Sequence, residues 1–319
     1  MTSQTNSTPP PIDHALIAVI WAAYDLGPLQ RITPASGGVR NTSYFVNDDL
    51  VLRFNTLDPG FVKFSNERIA YDLLAGSGLT VPQVVALDET RTLAPWDFIV
   101  LTRLPGATIA ASRAALTPSQ IRALAWQAGE TLARLHRYTF AAFGKLHQLD
   151  RQPFRSWQSY FDDYVQRYLH AAQQARLIDE PLLARLAAAQ QRAEPLLARV
   201  TQAVLVHSDF HYENLLQQNG QLSGLLDFEW AFAGDPAADF ATAPTRAAML
   251  PGSETTFVAG YQSVRPFDAE HSYRATLYRL FIWLEGAVQE AHQNNRAGAA
   301  AALAQMVELL DELERRAQI

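Results

Sequence analysis

The stretch from Val204 to Phe240 constrains this chain more than any other. Val204-Leu205-Val206 is a short apolar run of the kind found in a buried strand. It breaks at once into His207-Ser208-Asp209, passes through Phe210-His211-Tyr212-Glu213-Asn214, and turns apolar again at Leu215-Leu216. A second apolar run, Leu222 to Leu226, ends in Asp227. Paired short strands would bring two carboxylates and one carboxamide to strand ends, where rigid backbone holds them. The segment then reads D-F-E-W-A-F-A-G-D-P-A-A-D-F from Asp227 to Phe240. Asp235 before Pro236 suits a helix N-cap.

The rest of the chain bounds what surrounds this segment. With 319 residues, 48% of them hydrophobic and 18% charged, it has apolar material for a sizeable core. The net charge of −6 argues against a nucleic-acid partner, which needs a basic face. The chain has no cysteine, so disulfides, thiolate metal sites and Cys nucleophiles are excluded. That makes the cytoplasm the expected location. The start, MTSQTNSTPPPID, lacks the basic and apolar regions of a signal peptide. No run approaches the length of a membrane span, and no protein partner is implied.

Apolar periodicity divides the chain in two. Residues 1–11 are expected to be disordered, and 12–26 carry helical spacing. Strand-like runs follow at 29–33, 42–47 and 50–54, then a helix at 62–74 closed by Gly76 and Gly78, then strands at 83–87 and 97–102. After Pro105-Gly106 the pattern is mainly helical: 117–136 opened by Thr117-Pro118, then 155–176, 180–199, 254–264, 269–294 and 298–316. The exceptions are the strand-like runs at 204–206, 215–217 and 222–227. The expected fold class is α+β, with a β-rich N-terminal lobe over 12–104 and a helical C-terminal lobe over 105–319.

The polar groups of the anchoring segment suit phosphoryl transfer, where the protein's task is positioning and charge stabilisation. Asn214 and Asp227 offer the hard oxygens that Mg²⁺ takes. Asp209 can orient an acceptor hydroxyl and accept its proton. Asp209 and Asn214 have the D-x-x-x-x-N spacing of a kinase catalytic loop, and Asp227 follows 13 residues after Asn214. HSDFHYEN followed by LDFEWAFAGDPAADF resembles the aminoglycoside phosphotransferase and choline kinase superfamily, which shares the protein-kinase-like fold. The resemblance implies that Asp209 is the catalytic base, with His207 in the same loop as its organiser. It implies that Asn214 and Asp227 hold Mg²⁺, two ions being expected, and that Asp235 and Asp239 are framework. It implies ATP or GTP as donor. Ser208 stands where the family often has Gly, and Tyr212-Glu213 where it often has small residues or Pro.

The first hundred residues fit the same resemblance. Ser36, Gly37 and Gly38 lie where the family places its nucleotide loop. Arg53 stands at the position of the phosphate-contacting Lys, with Glu67 as its ion-pair partner. The strand and hinge ending in Thr102 and Leu104 would meet the base. Each has a plainer reading: a snorkelling Arg, a solvated Glu, a plain hairpin. Glu229, Tyr261, Tyr278, Trp283 and Glu285 are candidates for an acceptor pocket or for core. The expected activity is transfer of a γ-phosphoryl group to a hydroxyl of a small molecule: an amino-alcohol, aminoglycoside, homoserine or sugar. The alternative is a catalytically silent nucleotide-binding module of the same fold, whose usual signature is a lost base or metal ligand. No open peptide-binding segment separates Asp227 from GDPAADF, which argues against a protein kinase.

Overall fold

A computed structural model of the chain describes residues 12–35, 41–56 and 60–316. The expected disordered N-terminus therefore lies outside the described residues, as does the Ser36-Gly37-Gly38 turn. Helix α1 (His14–Ala23) starts where the Asp13 carboxylate accepts the Ala15 N–H, an N-cap. Strands β1 (Ile32–Pro34), β2 (Thr42–Val46) and β3 (Leu50–Phe54) precede helix α2 (Phe64–Leu74). Strands β4 (Val84–Asp88) and β5 (Phe98–Thr102) complete an antiparallel five-stranded sheet, order β1-β2-β3-β5-β4.

The period-two alternation of strands decides what this sheet does. In β5, Phe98 and Val100 join the core under α1, while Ile99 and Leu101 join the main core on the other face. The whole FIVL run is therefore buried. In β3, Leu52 and Phe54 face α1. Arg53, one position out of phase, is turned toward α2. The same alternation that buries the apolar residues thus places a guanidinium on the face that meets the rest of the chain.

The connector after β5 is pinned at both ends. Arg103 N–H donates to the Asp49 carbonyl at 2.6 Å, and Ser223 Oγ donates to the Pro105 carbonyl at 3.0 Å. Gly106 has φ +109°, and a Cβ there would strike the Gln217 carbonyl, so only glycine fits.

Beyond it come β6 (Ala107–Thr108), α3 (Ile109–Ser112), α4 (Pro118–Leu135), β7 (Thr139–Phe140), β8 (Gly144–Lys145), α5 (Trp157–Gln174) and α6 (Glu180–Leu197). The anchoring segment supplies β9 (Ala203–Val206), β10 (Leu215–Gln218), β11 (Gln221–Leu225) and β12 (Phe232–Gly234). Helices α7 (Ala243–Met249), α8 (Glu254–Gln262), α9 (His271–His292) and α10 (Arg296–Arg316) follow. Thr117 and Gln120 form a full capping box at the start of α4.

Two small sheets carry the loops, β11-β10-β6 and β7-β9-β12-β8. The expected strand at 222–227 ends at Leu225, because Asp227 adopts φ +66° and leaves the ladder. Leu226 N–H still donates to the Asn214 carbonyl at 2.9 Å, so the departing chain stays tied to the loop beside it. The two- and three-residue strands β6, β7, β8 and β12, and the seven-residue helix α7, were not expected. They are too short to show a period.

Helices α4 and α8 cross with their backbones in close approach. A Cβ at Gly129 would overlap the Phe257 carbonyl oxygen, and one at Gly260 would overlap that of Trp126. Gly286 in α9 has open space. In a helix interior Gly→Ala ordinarily stabilises by about 0.5–1 kcal/mol. Gly286→Ala is expected to follow that rule. Gly129→Ala should reverse its sign and cost about 1–3 kcal/mol through overpacking. Urea unfolding of both variants checks the pair, and equal shifts would contradict the close crossing.

Candidate active site

Strand β9 delivers the loop 207–214, and one histidine fixes its shape. His207 is fully buried. Its Nε2 lies 2.9 Å from the Leu226 carbonyl, and its Nδ1 lies 3.3 Å from the Asp209 N–H. A carbonyl only accepts and an N–H only donates, so the pair of contacts selects the neutral ring with its proton on Nε2. Burial pushes its pKa down, outweighing the charges of Asp239 and Asp209, which agrees with a neutral ring. His207 therefore ties the loop 207–214 to the chain entering Asp227, as a loop organiser would.

A second carboxylate finishes the loop. Asp239 accepts the His207 N–H at 2.9 Å and the Ser208 N–H at 2.6 Å, and its Oδ2 also meets His136 Nε2 at 2.9 Å. Ser208 is held at φ +72°, which explains why glycine is common at this position in the resembled family. Arg246 of α7, buried and absent from the sequence reading, donates to the Phe210 carbonyl at 3.2 Å and the Asp239 carbonyl at 2.9 Å. Asp235 accepts the Ala237 N–H as an N-cap and takes Arg274 Nε and the Tyr278 hydroxyl, both at 2.6 Å.

Against this framework Asp209 and Asn214 face each other. Asn214 Nδ2 donates to Asp209 Oδ2 at 3.0 Å and to the Asp209 carbonyl at 2.9 Å. This turns the carboxamide oxygen away from Asp209 and leaves it without a partner among the described residues. His211 Nε2 lies 3.1 Å from Asp209 Oδ1. Burial pushes the Asp209 carboxyl up, but the His211 bond, the charges of His211 and His207, and the Asn214 bond outweigh it and hold it below the usual range. Burial lowers His211, and the bond and charge of Asp209 overcome that and raise it. Nothing in the sequence pointed to this contact between His211 and Asp209.

Asp227 meets the N-terminal sheet directly. Arg53 Nη2 lies 3.1 Å from Asp227 Oδ1 and 3.2 Å from Glu229 Oε2, while Nη1 lies 2.7 and 2.9 Å from the two Glu67 oxygens. The expected Arg53–Glu67 pair is thus present, inside a larger cluster. The Tyr71 hydroxyl donates to Glu67 at 2.7 Å and accepts the Asp227 N–H at 3.0 Å. Burial alone would lower Arg53, but Glu67, Asp227 and Glu229 raise it well above its ordinary range. Asn66 Nδ2 reaches the Ala231 carbonyl at 2.5 Å, and Lys63 Nζ lies 3.6 Å from Glu229. Glu229, offered as a pocket residue by sequence, belongs to this cluster.

The remaining candidates separate. Thr102 ends β5 and accepts the Gln83 N–H on its hydroxyl at 2.8 Å. Leu104 lies against Gly224 of β11. Tyr261 and Tyr278 are core residues, bonded to His136 and Asp235. Both Glu285 oxygens are taken, by the Tyr164 and Tyr168 hydroxyls at 2.6 Å each. Trp283 is half-buried against the main core.

Asp227 Oδ2 and Asn214 Oδ1 are oxygen donors without a partner among the described residues, and the Asp227 side chain is 29% exposed. Arg53 and Lys63 meet Glu67, Asp227 and Glu229, an excess of negative charge. Such a donor set fits a hard divalent cation that keeps some of its waters. No cluster of three or more His, Asp or Glu among the described residues forms a complete cage.

Residues 31–266 match the model of the family described as "Phosphotransferase enzyme family". The chain belongs to that family. Its class of activity is that of a small-molecule kinase. It is 28% identical to the homoserine kinase of Polaromonas naphthalenivorans over 263 residues, 77% of each chain. It is 29% identical to the homoserine kinase of Azorhizobium caulinodans over 304 residues, 84% of this chain and 86% of the relative. The structure of the streptomycin-ATP-APH(2")-IIa ternary complex shares the fold with TM-score 0.69 at 17% identity, covering 94% of this chain and 99% of its own. The α+β, kinase-like fold expected from the sequence is thus the fold observed. No helix of the described residues is long and apolar enough to cross a membrane.

Proposed function

We propose that this phosphotransferase moves the γ-phosphoryl group of ATP to the hydroxyl of a small amino-acid-like molecule such as homoserine. The observation that carries this reading is the pairing of Asp209 with Asn214 in one loop and of Asp227 with Arg53 of the N-terminal sheet. Asp209, ionised and partly exposed, accepts the acceptor's hydroxyl proton. The new bond joins the acceptor oxygen to the γ-phosphorus as the bond to the β,γ-bridging oxygen breaks, and ADP leaves. Asn214 and Asp227 would hold Mg²⁺, which when bound neutralises charge on the phosphate oxygens. Arg53 exchanges its carboxylate partners for phosphate, oriented by Glu67 and Tyr71.

The domain reading belongs to the same proposal: residues 12–104 bind the nucleotide, with Ser36, Gly37, Gly38, Thr102 and Leu104 near it, and 105–319 supply catalysis and the acceptor site. A cytoplasmic location goes with it, supported by the absence of cysteine. Homoserine is favoured by the two relatives that carry that activity in their names.

The test is ADP formation with Mg·ATP across hydroxy amino acids, amino-alcohols, sugars and aminoglycosides. The expected result is acceptor-dependent ADP release, strongest with a hydroxy amino acid. Tight ATP binding with no acceptor-dependent release would contradict the reading.

A further inference from the structure

Lys145 ends β8 and carries a half-buried ammonium with no carboxylate within ion-pair distance among the described residues. Its Nζ lies 4.5 Å from the Phe61 ring centre and 5.5 Å from that of Trp230. These two rings, 4.8 Å apart, wall it from the side of the N-terminal sheet and from the segment that follows Asp227. Burial pushes the Lys145 pKa down to about 8, with Glu285 opposing and Arg167 adding to the fall. A cation held in a desolvated site without a counter-ion costs stability, and cation–π contact recovers only part of it.

The place of Lys145 in the fold ties it to the chemistry. Lys145 pairs with Phe232 of β12, and Phe232 pairs with Val206 of β9. The three stand in one row across the small sheet, about 10 Å from first to last by strand spacing. Three residues past Val206 is Asp209. Trp230 is three residues past Asp227. The sheet therefore joins the strand that carries Lys145 to the strand that leads into Asp209, and the ammonium is not used by the mechanism above.

Three carboxylates on the helices packed near Lys145 are already engaged. Glu285 is bonded to Tyr164 and Tyr168, Asp162 accepts from Gln190 at 2.7 Å, and Asp163 is paired with Arg167 at 3.0 Å. Lys145 has none of these carboxylates as a partner, and aromatic rings stand where a counter-ion would.

We propose that Lys145, walled by Phe61 and Trp230, binds a carboxylate of the phosphoryl acceptor, so that the acceptor is a hydroxylated carboxylic acid and not a polycationic sugar. This rests on the kinase reading above and narrows its substrate class. A carboxylate on an ammonium makes a charge-assisted hydrogen bond, stronger than a neutral one, and the two rings exclude water from it.

The experiment compares wild type, Lys145→Met and Lys145→Arg with Mg·ATP and two matched acceptors, L-homoserine and 3-amino-1-propanol, which lacks the carboxylate. The wild type is expected to favour L-homoserine. Lys145→Met should raise its KM by about 10- to 100-fold, the loss of one hydrogen bond between charged groups, with kcat within about threefold. It should leave kcat/KM for 3-amino-1-propanol unchanged, and Lys145→Arg should recover part of the loss. Calorimetric titration of L-homoserine into the Mg·ADP complex gives a second readout, with binding lost in Lys145→Met. An unchanged KM, or equal use of both acceptors by the wild type, would overturn the inference and leave the kinase reading standing. Binding that depends on Lys145 without any transfer by the wild type would support the anion site and count against the kinase reading.

Discussion

Asp209→Asn is expected to lower turnover by about 10³-fold or more, within the range for loss of a positioned general base, while nucleotide affinity stays within about threefold. The substitution keeps the shape of the side chain and a partner for Asn214, so the loop need not move. What it removes is the proton acceptor and the negative charge. The hydrogen-bond partners of the Asp209 side chain are His211 and Asn214, neither of them in the N-terminal lobe, so the nucleotide side should not register the change. The loss therefore belongs in kcat. A matching rise in nucleotide Kd would show that Asp209 acts on the metal or the phosphates instead. Since its carboxyl is held below the usual range, activity should also persist under mildly acidic conditions before this group protonates.

Asp227→Ala is expected to abolish Mg²⁺-dependent nucleotide binding as well as turnover. Asp227 offers one free carboxylate oxygen beside Asn214, and its other oxygen meets Arg53 at 3.1 Å. Removing it takes away one of two proposed metal donors, the charged one. Arg53 keeps Glu67 and Glu229, at 2.7 and 3.2 Å, so the N-terminal cluster retains its partners. The separation between the two variants is the informative part. In calorimetry, Asp209→Asn should bind Mg·ATP like wild type, and Asp227→Ala should bind no better with Mg²⁺ than without. Unchanged Mg·ATP affinity in Asp227→Ala would sink the metal assignment.

The sequence reading reached Asp209, Asn214 and Asp227 because they stand within one short segment, bounded by apolar runs that could only be strands. Arg53 and Glu67 were legible through the family resemblance alone, as a strand cation and the helix carboxylate that answers it; the structure adds Asp227 and Glu229 to that pair. Tyr71, four residues past Glu67 on the same helix, carried a readable signal, since i and i+4 share a face. The other cluster members gave none. Asn66 meets Ala231 across 165 positions of sequence, a contact that no local pattern encodes. Lys63 and Glu229 are likewise joined only by the fold. His211 was passed over because a single loop histidine serves many roles, and its aim at Asp209 depends on the turn that His207, Asp239 and Arg246 impose. Strands of two residues, such as the one holding Lys145, have no period to detect, so the anion site was invisible until Val206, Phe232 and Lys145 were seen in one row.

The central claim is that this site transfers a phosphoryl group from ATP to a small hydroxylated molecule under Mg²⁺. The most direct measurement is ³¹P NMR of the wild-type enzyme with ATP, Mg²⁺ and L-homoserine or a related hydroxy acid. The account expects a phosphomonoester resonance that grows in step with ADP, disappears when Mg²⁺ is chelated and is lost in Asp209→Asn. ATP that stays intact with every hydroxylated acceptor, or that yields only inorganic phosphate, would contradict it.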